Sequence, residues 1–99
     1  MKLQMHSIHF DADYKLIEFI QKKANKLDTF YDRIIDGEVI MKVEGDEFKE
    51  NKHLEIKLNI PGNQLFAKGK AKSFEAAADD AVEALRRQLK KHKEKMLAH

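Results

Sequence analysis

His53-Leu54-Glu55-Ile56-Lys57-Leu58-Asn59-Ile60-Pro61-Gly62-Asn63-Gln64-Leu65-Phe66-Ala67-Lys68-Gly69-Lys70-Ala71-Lys72 is the stretch that decides the fold. In its first half Leu54, Ile56, Leu58 and Ile60 alternate with His53, Glu55, Lys57 and Asn59, the period-two pattern of a strand with one buried face. In its second half, from Gln64 to Lys72, Leu65, Ala67, Gly69 and Ala71 alternate with Phe66, Lys68, Lys70 and Lys72. Between the halves, Pro61 fixes φ while Gly62 or Asn63 tolerates positive φ, so the connection is a tight turn. Two alternating runs joined by so short a turn make a hairpin.

Upstream of this hairpin, Ile35 to Glu44 reads as a strand with Val39, Met41 and Val43 on one face. Leu3 to His9 reads as another, with Leu3 and Met5 sharing a side. Asp13 is a good N-cap for a helix running from Tyr14 to about Thr29. At 100° per residue its Leu16, Ile17, Ile20, Ala24 and Leu27 fall within an arc of roughly 100°. Lys15, Lys22 and Lys26 cluster opposite, with Phe19 and Lys23 flanking them.

Downstream, Ser73 is placed to cap a final long helix, and Ala76 three residues on leaves the capping box incomplete. Phe74, Ala77, Ala78, Ala81, Val82, Leu85 and Leu89 form its apolar stripe, and the small alanines allow its first half to lie close on the sheet. Beyond Leu89 the stripe thins to Met96 and Leu97, so the last turns are expected to project past the core. The expected architecture is α+β: a single β-α-β-β-β-α domain over residues 1–99, a four-stranded sheet with two helices packed on one face, similar to a double-stranded-RNA-binding domain. No repeat, linker or second domain is visible.

The 99 residues suffice for one core without disulfides or metals. Cysteine is absent, which excludes disulfide frameworks, thiolate zinc sites and thiol nucleophiles. No run approaches the roughly 18 apolar residues of a membrane span, and the start lacks the apolar stretch of a signal peptide. A cytoplasmic protein is the expectation. Two histidines, His6 and His9, stand close in sequence, but an odd separation in a strand turns them to opposite faces. Asp79, Asp80 and Glu83 form an acidic group in the first half of the last helix, where acids complement the helix dipole. No base, nucleophile or glycine-rich phosphate loop accompanies them. No catalytic residue, metal site, cofactor or small-molecule substrate is expected.

Net charge is only +2, yet Arg86 to Lys95 carries six basic side chains against one acidic one. Complementing a helix dipole needs one or two cations in the last turn, and gains a few tenths of a kcal/mol. Six cations repelling one another exceed that gain, whereas a polyanion exchanging its counterions for fixed contacts reverses the balance. Lys22, Lys23 and Lys26 extend this surface from the first helix, and Arg33 extends its rim. Lys68, Lys70 and Lys72 belong to the last strand and fall on the open sheet face if the helices cover Leu65 and Ala67. Phe66 between them reads as a packed strand residue rather than a base-stacking one.

Three segments carry a family resemblance. Lys23-Ala24-Asn25-Lys26-Leu27-Asp28-Thr29-Phe30-Tyr31-Asp32-Arg33-Ile34 resembles the segment closing the first helix of ribosome hibernation promoting factors, a family that includes ribosome-associated inhibitor A and the sigma-54 modulation protein. Val39-Ile40-Met41-Lys42-Val43-Glu44 resembles its second strand. Arg87-Gln88-Leu89-Lys90-Lys91-His92-Lys93-Glu94-Lys95 is similar to its closing signature and is the most specific match. The resemblance spans essentially the whole chain and looks like the short hibernation-promoting form.

That resemblance implies a protein lodged in the decoding channel of the small ribosomal subunit, contacting ribosomal RNA and blocking messenger and transfer RNA in slow growth. By position, Lys23, Lys26, Arg33, Arg87, Lys91, His92, Lys93 and Lys95 are the implied RNA contacts. Lys22, Arg86 and Lys90 add charge where the family pattern is looser, and Tyr31 and Asp32 match as fixing the turn after the helix. Glu44 to Lys52 departs from the pattern. The partner implied is the small subunit with its RNA, with no membrane, and the free protein is expected to be a monomer. Two other readings are a sigma-54 modulating protein–protein regulator and a free-standing duplex-RNA binder. The second is disfavoured because the last helix begins Glu75-Ala76-Ala77-Ala78-Asp79-Asp80, which is acidic, with its cations at the far end.

Overall fold

The computed structural model describes residues 1–45 and 50–97. Its elements follow the expected order: β1 (Lys2–Ile8), α1 (Tyr14–Phe30), β2 (Asp36–Val43), β3 (Lys52–Ile60), β4 (Asn63–Ala71) and α2 (Phe74–Leu97). Part of the divergent loop anticipated between Glu44 and Lys52, residues 46–49, lies outside the described residues. The hairpin turn is as read, with Gly62 at φ +77° between Ile60 and Asn63. β1 stops at Ile8, one residue early, because His9 turns the chain at φ 70°, a left-handed conformation that strands do not use.

The four strands lie in the order β1-β2-β3-β4, with β1 parallel to β2 and the other two pairings antiparallel. Register brings the apolar positions onto one face: Met5 opposite Val39, Val39 opposite Ile56, and Ile56 opposite Ala67. Leu54, Ile56, Leu58, Val39 and Met41 are fully buried there, beneath Ile20 and Leu27 of α1 and Ala77, Ala81, Leu85 and Leu89 of α2. The other face is open and carries His6, Glu38, Glu55, Phe66, Lys68 and Lys70.

Strand direction dictates helix direction. β2 runs with β1, β3 reverses, and β4 reverses again, so β1 and β4 point the same way. Each is followed by a helix that returns across the same sheet face, so α1 and α2 run parallel to one another. Contacts between them agree, since residue numbers rise together: Lys23 meets Asp79, and Phe30 meets Arg86 and then Lys93. Phe10 and Phe74, just before α1 and at the start of α2, stack with ring centroids 4.7 Å apart and close the N-terminal end of the pair.

The caps hold these helices in place. Asp13 Oδ1 accepts the Leu16 amide at 2.8 Å, and Ser73 Oγ accepts the Ala76 amide at 3.1 Å. α2 descends closely onto β4 because its first turns are alanine where they face the sheet. A Cβ at Gly69 would fall inside the contact distance of the Ala77 carbonyl group. Gly69→Ala must therefore lift α2 or distort β4, at an overpacking cost of about 1–3 kcal/mol. Urea denaturation measures this directly, and a loss below about 0.5 kcal/mol would show that the two backbones are not in contact.

Candidate nucleic-acid interface

Parallel helices place both C-terminal halves at the same end of the molecule, and those halves hold the basic residues. From α1 and the turn after it come Lys22, Lys23, Lys26 and Arg33; from α2 come Arg86, Arg87, Lys90, Lys91, His92, Lys93 and Lys95. A hollow between the helices is lined by Lys23, Lys26 and Arg86 with Phe30 and Leu27, and by Asp79 and Glu83 at its acidic end. A second hollow, at the tip, joins Arg33 to Lys93 around Phe30, Tyr31, Met96 and Leu97. Eleven positions anticipated on one surface are thus drawn from two elements far apart in sequence.

Phe30 is the residue that the sequence did not mark as central. It ends α1 with its ring partly buried, and two cations of α2 sit over it: Arg86 at 5.3 Å and Lys93 at 4.4 Å from the ring centroid. The negative face of an aromatic ring attracts both cations and eases their mutual repulsion. Lys93 Nζ also donates to the Phe30 carbonyl at 2.9 Å. That carbonyl belongs to the last turn of α1 and lacks an intrahelical donor, so Lys93 acts as a cap contributed by the other helix. Beside this contact, the neighbouring residues His92 and Tyr31 meet with their rings edge-on at 5.6 Å. Lys93 and His92 therefore fasten the end of α1 to α2, and Lys93 also carries charge there.

The remaining basic residues divide by their partners. Lys22 pairs with Glu18 at 3.2 Å and Arg87 with Glu83 at 3.8 Å, each one turn apart on its own helix. Lys23 pairs with Asp79 across the helices at 2.9 Å. Among the described residues no carboxylate lies within 4.0 Å of Lys26, Arg33, Arg86, Lys90, Lys91 or Lys95, and all six side chains are exposed. Arg86 rests on the Phe30 ring; the other five have no ion-pair or ring partner among the described residues.

The other features noted in the sequence take structural places. Lys68 and Lys70 lie on the open sheet face, away from the helices, with Lys68 near Glu55 at 3.8 Å and over the Phe66 ring at 5.6 Å. The Phe66 carbonyl accepts Gln88 Nε2 at 2.8 Å, tying α2 to the edge of β4. His6 lies 3.6 Å from Glu38 on the open face, while His9 has left the strand.

A direct test separates fastening from free charge. Lys93→Ala should cost about 1 kcal/mol of folding stability through the lost carbonyl contact. Lys91→Ala, whose side chain touches no partner among the described residues, should stay within about 0.5 kcal/mol of the parent. Equal losses in thermal or urea unfolding would show that Lys93 does not hold α1.

Comparison with known proteins adds independent findings. Residues 3–97 match the family model described as Sigma 54 modulation protein / S30EA ribosomal protein. The chain is 34% identical over 95 residues to a ribosome hibernation promoting factor of Pseudomonas putida, covering 96% of this chain and 89% of that protein. It is 31% identical over 99 residues to the ribosome hibernation promoting factor of Escherichia coli, covering 100% of both. Among solved structures, a ribosomal subunit interface protein from Coxiella burnetii superposes with a TM-score of 0.82 at 24% identity, covering 94% of this chain and 98% of that one. The N-terminal domain of Thermus thermophilus Protein Y gives the same TM-score at 22% identity, covering 93% and 99%. The sheet order and helix arrangement are thus shared with both.

Proposed function

The chain belongs to the Sigma 54 modulation protein / S30EA ribosomal protein family together with ribosome hibernation promoting factors, and from that premise we propose that it docks in the decoding channel of the small ribosomal subunit and silences translation by occlusion. In this reading residues 1–99 act as one cytoplasmic ribosome-binding domain, monomeric off the ribosome, with no catalytic step. The basic ends of α1 and α2 lie against ribosomal RNA, and the body of the domain fills space that messenger and transfer RNA otherwise occupy.

The observation that carries this reading is the set of six exposed cations without carboxylate partners, gathered at one end by the parallel helices. Phosphates supply the missing partners. Phosphate contacts position a protein without reading sequence, so selectivity comes from the shape of a preformed RNA channel. A closely packed pair of parallel helices with basic ends suits such a channel. Free duplex RNA offers the same phosphates without the enclosing walls, and so should bind more weakly.

Six phosphate contacts give a log-log salt slope of roughly −5. The test is co-sedimentation with isolated small and large subunits across a salt series. Pelleting with the small subunit should follow that slope and disappear when messenger and transfer RNA fill the channel. The double variant Lys90→Glu/Lys91→Glu should bind at least about tenfold more weakly at 0.15 M salt, since each lost contact removes about fivefold there. Absence of the parent from the small-subunit pellet at low salt would overturn the hibernation reading. RNA-independent binding to a sigma factor that survives Lys90→Glu/Lys91→Glu would favour the regulator reading instead.

A further inference from the structure

Lys23 differs from the other cations of the basic end in taking a carboxylate partner from the opposite helix. Among the described residues, Lys23–Asp79 is the only ion pair that joins α1 to α2. Its Nζ lies 2.9 Å from Asp79 Oδ1, with the two side chains one-third and one-half exposed. The pair sits in the groove whose basic walls are Lys26 and Arg86. A purely mechanical strut explains little here, because Ala24, Leu27, Phe30 and Val82 already pack this seam with apolar contact. The pair instead withdraws one lysine from a surface on which Lys26, Arg33, Arg86, Lys90, Lys91 and Lys95 have no carboxylate partner among the described residues.

We propose that Asp79 is a specificity-determining residue of the RNA face, an internal counter-anion that holds Lys23 until a dense phosphate array displaces it. An isolated phosphate must compete with a carboxylate already at hydrogen-bonding distance. A phosphate seated between Lys26 and Arg86 brings negative charge close to Asp79, which weakens the Lys23–Asp79 pair. The flexible Lys23 side chain then turns to the next phosphate. Sparse or weakly curved RNA leaves the pair intact, whereas a channel whose phosphates line the groove opens it. This rests on reading the face as an RNA surface, and adds how that surface discriminates.

Salt dependence counts phosphate contacts, so it reports whether Lys23 is engaged. Two variants are compared with the parent: Asp79→Asn, and Asp80→Asn, which removes a neighbouring charge that has no partner among the described residues. The probes are a blunt RNA duplex of about 16 base pairs and isolated small subunits. On the duplex, Asp79→Asn should steepen the slope by about 0.9 and bind about fivefold more tightly at 0.15 M salt. On the small subunit its slope should equal that of the parent, because Lys23 is already released there. Asp80→Asn should leave both slopes unchanged. If the two variants behave alike, or if Asp79→Asn only lowers Tm with no change of slope on the duplex, Asp79 is a structural strut and the proposal fails. A parent protein that binds neither probe would instead overturn the functional reading on which this rests.

Discussion

The contact between α2 and β4 sets the position of everything that follows it in the chain. Ala77, Ala78 and Ala81 are fully buried and small, and Gly69 presents no side chain, so helix and strand approach to backbone distance. Leu85 and Leu89, one and two turns further, then reach the same sheet face and are fully buried. Past Leu89 the helix has left the sheet, and Met96 and Leu97 are exposed. Up to Leu89 charge is confined to the face of α2 turned away from the core, whereas beyond it Lys90, Lys91, Lys93 and Lys95 can surround the helix. A larger residue in the first turns would tilt α2 and move those cations away from α1.

Concentrating positive charge has a cost that the molecule offsets locally. Phe30 lies beneath Arg86 and Lys93, so an aromatic ring partly buried for packing reasons also attracts the cations nearest the seam. Exposed ion pairs one helical turn apart, such as Lys22 with Glu18, contribute only about 0.3–0.5 kcal/mol each. They moderate the charge without removing it. Lys26, Arg33, Arg86, Lys90, Lys91 and Lys95 keep no carboxylate partner among the described residues, and their gathering at one end, rather than the modest net charge, identifies the face.

Most of the fold was legible because its signals are local. The alternation through Leu54 to Ile60, the Pro61-Gly62 turn and the arc of Ile20, Ala24 and Leu27 each depend on near neighbours. Element order and the choice of covered face follow from them, and the three family-like segments point the same way as the match to residues 3–97. The basic end of α2 was legible as a run of charge. What could not be read was which cations are already engaged: Lys93 on Phe30 is a contact between positions 63 residues apart, and Lys23 with Asp79 is nearly as remote in sequence. Such partners exist only once β1 and β4 have been laid parallel. The role of Phe30 stayed hidden for the same reason, since the cations over its ring come from α2.

The parallel arrangement of α1 and α2 also gives the molecule an electrical direction. Glu75, Asp79, Asp80 and Glu83 lie toward the N-terminal end of α2, and Asp11 and Asp13 beside the start of α1, opposite the basic tips. The helix macrodipoles point the other way, but amount to about half a charge at each end, so the full side-chain charges prevail. A particle with a net charge of +2 feels only a modest pull toward a polyanion. One with separated poles also feels a torque. Within roughly the last 8 Å allowed by physiological screening, such a torque beside any polyanion favours orientations with the basic tips forward and the acidic end back.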